Sequence, residues 1–332
     1  MQETPLTQHQ FYLAPLRGIT DHIFRTVFER HFGKFDYLMA PFISTTKGKN
    51  VRASHFRDLL PENNDTKRTI PQIIGNDSEG FLLLCQKLHD LGYESVNWNL
   101  GCPSPLITKK KRGSGLLPHL NHIETFLDEV IPKLPLSLSI KTRLGLESPK
   151  ELDALIPVFN RFPLKEIIIH PRTGKQLYEG NVDTEAFSRC YLTSKHELIF
   201  NGDILSADDL RFLSTTFPNI RSWMIGRGVL RFPFILETLK QNKTELSVKR
   251  INNFHDEIFY CNSIRLPEFN LLGRMKELWK YLCFCFIEGE YFLEDILRTD
   301  NIHTYNEKTV LFFDSQAQIN EFPSANLCIS NS

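Results

Sequence analysis

The chain has 332 residues, 41% hydrophobic and 23% charged, with 39 Lys and Arg balanced by 39 Asp and Glu. That composition excludes a disordered or fibrous chain, and a formal net charge of zero excludes the strongly basic profile of a general nucleic-acid binder, so RNA contact would need a local patch. No apolar run reaches the roughly 20 residues of a membrane helix, the start MQETPLTQHQ lacks an apolar leader core, and seven scattered cysteines form neither a CxxC pair nor a zinc spacing, so a cytoplasmic protein without membrane or metal partners is expected.

Eight short β-rich runs follow one another at 11–15, 36–42, 69–75, 95–103, 136–145, 166–172, 197–203 and 222–228. Most are separated by segments of helical period. Phe81, Leu84, Leu88 and Leu91 make one apolar face, Ile123, Phe126, Leu127 and Val130 a second, and Leu152, Leu155, Ile156 and Phe159 a third. Alternating strand and helix predicts an α/β fold, a closed (β/α)8 TIM barrel. An open doubly wound sheet would carry GxGxxG after an early strand, and the chain has none. The polar and unusual residues sit at the carboxyl ends of the runs, where a barrel gathers them on one rim.

After Phe232-Pro233 the β-runs stop. Phe269, Leu272, Met275, Trp279, Leu282 and Phe286 recur at helical spacing and predict a small C-terminal helical domain. The expected division is a catalytic barrel over 1–240, a helical domain over 241–300, and a polar tail over 301–332. The tail holds one apolar run, Val310-Leu311-Phe312-Phe313, to which no role is assigned.

The most informative segment is Asn99-Leu100-Gly101-Cys102-Pro103, followed by Lys109-Lys110-Lys111-Arg112-Gly113-Ser114-Gly115. Pro103 stops the strand and Gly101 allows an unusual turn, so a thiol is presented on a loop at the rim. With an ordinary pKa of about 8.5, a thiol is protonated at neutral pH and can serve as an acid. Glycines in Asn201-Gly202-Asp203 and Gly226-Arg227-Gly228, after the last two strands, suit a phosphate group there. The four-residue basic run reads by itself as solvated loop surface; only beside the reactive loop of an RNA enzyme would it meet phosphates, with Lys47, Lys49, Arg52 and Arg57 as possible extensions. Arg274, Lys276 and Lys280 of the helical domain are further candidates for gripping the RNA backbone.

The run Val96-Asn97-Trp98-Asn99-Leu100-Gly101-Cys102-Pro103 resembles the signature of the tRNA-dihydrouridine synthase family, bacterial type. The resemblance includes Leu13-Ala14-Pro15-Leu16-Arg17-Gly18, Gln72-Ile73-Ile74-Gly75, Lys141-Thr142-Arg143, His170-Pro171-Arg172-Thr173 and the two glycine motifs, in order over roughly residues 11–240. It implies an enzyme that binds FMN, with NADPH or NADH as reductant. Hydride would pass to C6 of a tRNA D-loop uridine while Cys102 protonates C5. It further implies that Pro15, Leu16, Arg17, Gln72, Lys141, His170, Asn201, Gly202, Asp203, Gly226 and Arg227 hold the cofactor. Asn99 would face the substrate and Arg172 the substrate or the flavin phosphate, with Lys109, Lys110, Lys111 and Arg112 on the tRNA backbone. A monomer is expected. The alternatives are an FMN-barrel oxidoreductase of a small molecule, such as a dihydroorotate dehydrogenase or ene-reductase, and a non-catalytic tRNA-binding barrel.

Overall fold

A computed structural model describes residues 9–46, 53–241 and 244–321. Its strands are β1 (Gln10–Leu13), β2 (Tyr37–Met39), β3 (Ile43–Ser44), β4 (Thr69–Ile70), β5 (Gln72–Ile74), β6 (Ser95–Leu100), β7 (Ser137–Gly145), β8 (Glu166–Thr173), β9 (Glu197–Asn201) and β10 (Ser222–Ile225). They form one parallel sheet in the order β3-β5-β6-β7-β8-β9-β10-β1-β2-β4. The two ends of that order meet. β4 and β5 are one stave interrupted at Pro71, whose missing N–H breaks the ladder. β4 pairs with β2 on one side and β5 with β6 on the other, while the Pro71 carbonyl accepts from Asn97 N at 2.9 Å. With β3 prolonging the second stave, eight staves close a barrel, as the alternation predicts.

Helices His22–Phe32, Ser78–Asp90, Leu120–Val130, Lys150–Phe159, Thr184–Thr193 and Ala207–Thr216 cover the outside. The three apolar faces read from the sequence are buried there, apart from Leu91, which is half-buried. Capping chemistry starts several of these helices: Asp21, Asp77 and Asp183 each accept from the N–H three residues on, and Ser206 with Asp209 makes a capping box. The second crossover has short 3-10 turns, Ala53–Leu59 and Pro61–Asn63, where the alternation calls for an α-helix. Arg25 anchors them. It is 2% exposed and donates to Asp58 at 3.0 Å and Asn64 at 2.8 Å.

A smaller cluster fills the barrel interior: Tyr12, Ala14, Met39, Ile70, Ile168, Ile199 and Met224. Strand side chains alternate between faces, so residues two positions further on also point inward, one layer higher. That step runs from Ile70 to Gln72, from Ile168 to His170 and from Ile199 to Asn201. The periodicity therefore delivers the polar rim directly above an apolar floor.

Beyond the barrel, helices Val248–Ser263, Glu268–Leu282, Gly289–Leu297 and Ile302–Leu311 pack around Trp279. Its ring lies 4.8 Å from Phe292, 5.6 Å from Phe312 and 5.7 Å from Phe313. Phe312 and Phe313 of the tail's apolar run thus complete this core. A bridge between Phe286 and Ile319 ties residues up to 320 to the same layer. One residue of the expected stripe differs: Phe269 is 86% exposed, because it sits in the first turn before the helix meets its neighbours. No described helix is long and apolar enough to cross a membrane.

Candidate active site

The carboxyl ends of the staves surround one cavity, lined by Pro15, Leu16, Lys141, His170, Tyr178, Asn201, Gly202, Asp203, Gly226 and Arg227 among others. Nine of the eleven residues expected around a cofactor thus line one space or lie within it; Arg17 and Gln72 stand apart.

Lys141 ends an alternating run that points it inward, level with Asn99 on β6. It is half-buried and has no hydrogen-bond or ion-pair partner among the described residues. Burial, with the Arg143 guanidinium nearby, pushes its ammonium down to about 7. An unpaired lysine in such a place asks for an anion or a strong acceptor. His170 is 8% exposed. Burial first, then the charges of Arg143, Lys141, Arg172 and Arg227, hold its ring well below the usual histidine range, so it is neutral. Its Nε2 lies 3.1 Å from Arg172 Nη1, a donor, so the ring proton belongs on Nδ1.

Asp203 organises the far end. It accepts from Arg172 Nη1 at 3.1 Å and from Arg227 at 2.9 Å, and pairs with Arg172 Nη2 as well. Its φ is 47°, and that of Gly202 is 152°. A Cβ on Gly202 would come within 2.9 Å of Val182 and 3.1 Å of the His170 ring, so only glycine fits. Two guanidinium groups against one carboxylate leave a positive surplus suited to a phosphate.

Two residues with no role assigned from the sequence complete the wall. Arg143 is 2% exposed and donates to the Thr173 carbonyl at 2.7 Å. Tyr178 lies between Arg143, 5.2 Å from its ring, and Arg227, 4.9 Å from it. Arg143 was legible from strand alternation, because it stands two positions after Lys141. Tyr178 sits in the loop after β8 and carries no periodic signal.

Cys102 is fixed from both sides. Asn99 Oδ1 accepts from the N–H groups of Gly101 at 3.0 Å and Cys102 at 2.9 Å. The Cys102 carbonyl accepts from Ser114 N at 3.0 Å and Ser114 Oγ at 3.1 Å. The left-handed residues of this loop are Lys111, with φ 52°, and Gly113, with φ 56°, rather than Gly101; a Cβ on Gly113 would lie 2.6 Å from the Cys102 carbonyl. Burial pushes the thiol up, while a backbone hydrogen bond from Ser104 and the charges of Arg143, Arg17 and Lys141 pull the other way. The thiol is therefore protonated at neutral pH and stands beside the cationic wall.

Gln72 is fully buried. Its Nε2 donates to Asn97 at 2.8 Å and its Oε1 accepts from Asn99 at 2.7 Å, so an amide relay links the barrel interior to the Cys102 loop. Arg17 is exposed at the rim, its guanidinium 5.5 Å from the Phe42 ring. Lys109, Lys110 and Lys111 are exposed without ion-pair partners among the described residues. Arg112 turns back to Asn76 and the Thr45 carbonyl at 3.2 and 3.1 Å. Arg57 is exposed, and Lys47, Lys49 and Arg52 lie outside the described residues. Arg274, Lys276 and Lys280 are each engaged within the protein.

A family model described as dihydrouridine synthase matches residues 12–265. The chain belongs to the dihydrouridine synthase family. A probable tRNA-dihydrouridine synthase of Helicobacter pylori is 30% identical over 240 residues, covering 71% of each chain. The tRNA-dihydrouridine synthase B of Pasteurella multocida is 25% identical over 70% of this chain and 69% of its own. The tRNA-dihydrouridine(16) synthase of Vibrio parahaemolyticus is 25% identical over 70% and 74%. Among solved structures, the old yellow enzyme from Trypanosoma cruzi aligns with TM-score 0.51 and 10% identity, over 74% of this chain and 91% of that one. Morphinone reductase in complex with tetrahydroNAD aligns with TM-score 0.50 and 10% identity, over 72% and 88%. At that identity these two speak for the barrel fold alone. Family membership sets aside the small-molecule and non-catalytic alternatives.

Proposed function

We infer that the protein is a flavin-dependent tRNA-dihydrouridine synthase, with FMN as the bound flavin, NADPH or NADH as reductant, and a D-loop uridine as substrate. The observation that carries the reading is a protonated thiol, held at both of its peptide neighbours, beside an unpaired lysine in a cavity whose other end has surplus guanidinium charge. A flavin phosphate fits that end. Arg172 and Arg227 supply charge there, and Gly202 and Gly226 let the backbone approach. The lone Lys141 and the Nδ1–H of neutral His170 suit the polar edge of the ring. Pro15 and Leu16 run along the cavity's side with Arg17 beyond them at the rim, and the Gln72–Asn99 relay supports it from beneath.

When bound, the flavin supplies hydride from the nicotinamide reductant to uracil C6. Cys102 gives its proton to C5 of the same ring. Burial keeps that proton in place until it is needed, and the Asn99 and Ser114 hydrogen bonds keep the thiol in near-attack position. The target base must leave the RNA stack to reach the cavity. Lys109, Lys110 and Lys111 stand beside the Cys102 loop, where they can hold the flanking phosphates. The residue division follows: a catalytic barrel over 1–240, an RNA-facing helical domain over 241–300, and a tail, 301–332, whose described part completes the helical core.

Nucleoside analysis of tRNA from cells lacking the gene tests the reading. A mapped D-loop position should lose dihydrouridine and regain it with the wild-type gene but not with Cys102→Ala. Unchanged dihydrouridine at every position would overturn it.

A further inference from the structure

Arg274 is a candidate RNA contact by sequence, yet its guanidinium is committed elsewhere. It projects from helix Glu268–Leu282, which Met275, Leu278 and Trp279 bury in the helical core. Its Nη1 donates to the Gly18 carbonyl, and its Nη2 donates to the Ile19 carbonyl at 3.1 Å. Nη2 also pairs with Asp21 at 2.6 Å, with only 18% of the arginine side chain exposed. All three acceptors belong to the turn after β1. That turn is otherwise held within itself: Ile19 and Thr20 N–H groups donate to the Leu16 carbonyl at 3.0 Å, and Leu16 N–H donates to Thr20 Oγ1 at 2.8 Å. Gly18, with φ 84°, leaves its carbonyl turned outward to the arginine. The same turn begins with Pro15 and Leu16, which line the cavity.

We propose that Arg274 is a positioning residue: from the helical domain it holds the Leu16–Asp21 turn, and through it the Pro15–Arg17 segment at the flavin's side. The part that concerns flavin rests on the function proposed above; the clamp itself does not. A guanidinium satisfies two carbonyls and a carboxylate at once because its donors form a planar fork, and a lysine ammonium cannot reproduce that geometry. Lys276, one turn-fraction away, serves as a matched control. Its ammonium donates to the Leu297 carbonyl at 3.0 Å and to the Thr299 carbonyl, entirely within the helical domain.

Hydrogen exchange at the amides of residues 16–21 tests the clamp without any cofactor. Arg274→Met and Arg274→Lys should speed exchange there by about ten- to hundredfold, since two or three charge-assisted bonds are lost. Asp21→Asn, which keeps the helix cap, should do so less. Lys276→Met should leave these amides at the wild-type rate. With flavin present, the Arg274 variants should raise the flavin dissociation constant several-fold and leave the salt dependence of tRNA binding unchanged. Wild-type exchange at 16–21 in both Arg274 variants would overturn the clamp. So would normal flavin affinity combined with a tRNA salt slope lowered by about one, the mark of a lost phosphate contact. Loosened amides in the Arg274 variants, together with a wild-type protein that takes up no flavin, would support the clamp and sink the functional reading, so the two failures are separable.

Discussion

The proposed place of Lys141 beside the flavin predicts that flavin binding depends on pH. Its ammonium is pushed down from 10.5 to about 7 by burial and by Arg143. That gap corresponds to about 5 kcal/mol of unfavourable interaction with the charged form, an upper bound because water relieves part of it. The sign follows. Below pH 7 the lysine is already charged and ready to donate to a flavin carbonyl or ring nitrogen. Above pH 7 it is mostly neutral, and binding must first restore its proton. Affinity for FMN should therefore weaken by about tenfold per pH unit between 7 and 9, with uptake of close to one proton per flavin bound. Lys141→Met should lower affinity by about 10- to 150-fold at pH 7, the range of a hydrogen bond to a charged group, and should abolish the slope. Titration calorimetry in buffers of different ionisation enthalpy reads both quantities. A flat pH profile in the wild type, or the same slope in Lys141→Met, would refute the assignment of Lys141 to the flavin.

Cys102→Ala should keep the yellow flavin and bind tRNA while dihydrouridine formation falls by about 10²–10⁴-fold in single-turnover assays. Because burial pushes the thiol up, wild-type turnover should hold across neutral pH and decline only on the alkaline side as the proton is lost. Gly202→Ala should lose flavin affinity and about 1–3 kcal/mol of stability in urea melts, since its Cβ meets both Val182 and the His170 ring. Tyr305→Phe should cost about 1–3 kcal/mol, because the Tyr305 hydroxyl accepts from Trp279 Nε1 at 2.9 Å and lies 2.6 Å from His255 Nε2; flavin binding to the barrel should be unaffected, as measured by fluorescence quenching.

Strand–helix alternation and period-two patterning were enough to read the barrel and most of its rim. Lys141 and His170 lie within β7 and β8, whose alternation aims them inward, so their place followed from local pattern. The second crossover escaped because its anchor, Arg25 to Asp58 and Asn64, joins residues over 30 positions apart. Tyr178 escaped because a loop side chain stacked between two guanidinium groups leaves no period behind. The amide chain from Asn97 through Gln72 to Asn99 was legible only as separate motif letters. Its sense, that Gln72 supports the Cys102 loop by way of Asn99, depends on pairing between staves. Arg274 and Lys276 were legible as cations but not as clamps, since sequence does not say which carbonyls a cation will find.

Net charge also misleads unless it is resolved in space. A chain with no formal net charge offers no general attraction for RNA. Yet several carboxylates are spent on cations away from the rim: Glu29 on Arg68, Glu257 on His31 and Arg30, Glu237 on Arg250. Around the cavity Lys141, Arg143, Arg172 and Arg227 act together on His170, and Asp203 is the carboxylate that meets two of them. The exposed Lys109, Lys110 and Lys111 lie just past the thiol in sequence, and Arg17, also exposed, is among the charges that act on it. Pairing elsewhere thus leaves a positive mouth on a neutral molecule. At ionic strengths near 0.15 M the screening length is about 8 Å, so such a field acts on phosphates already at the rim rather than on distant RNA. Recognition would then depend on the fit of a folded tRNA to this mouth, with charge adding affinity only once the fit is made.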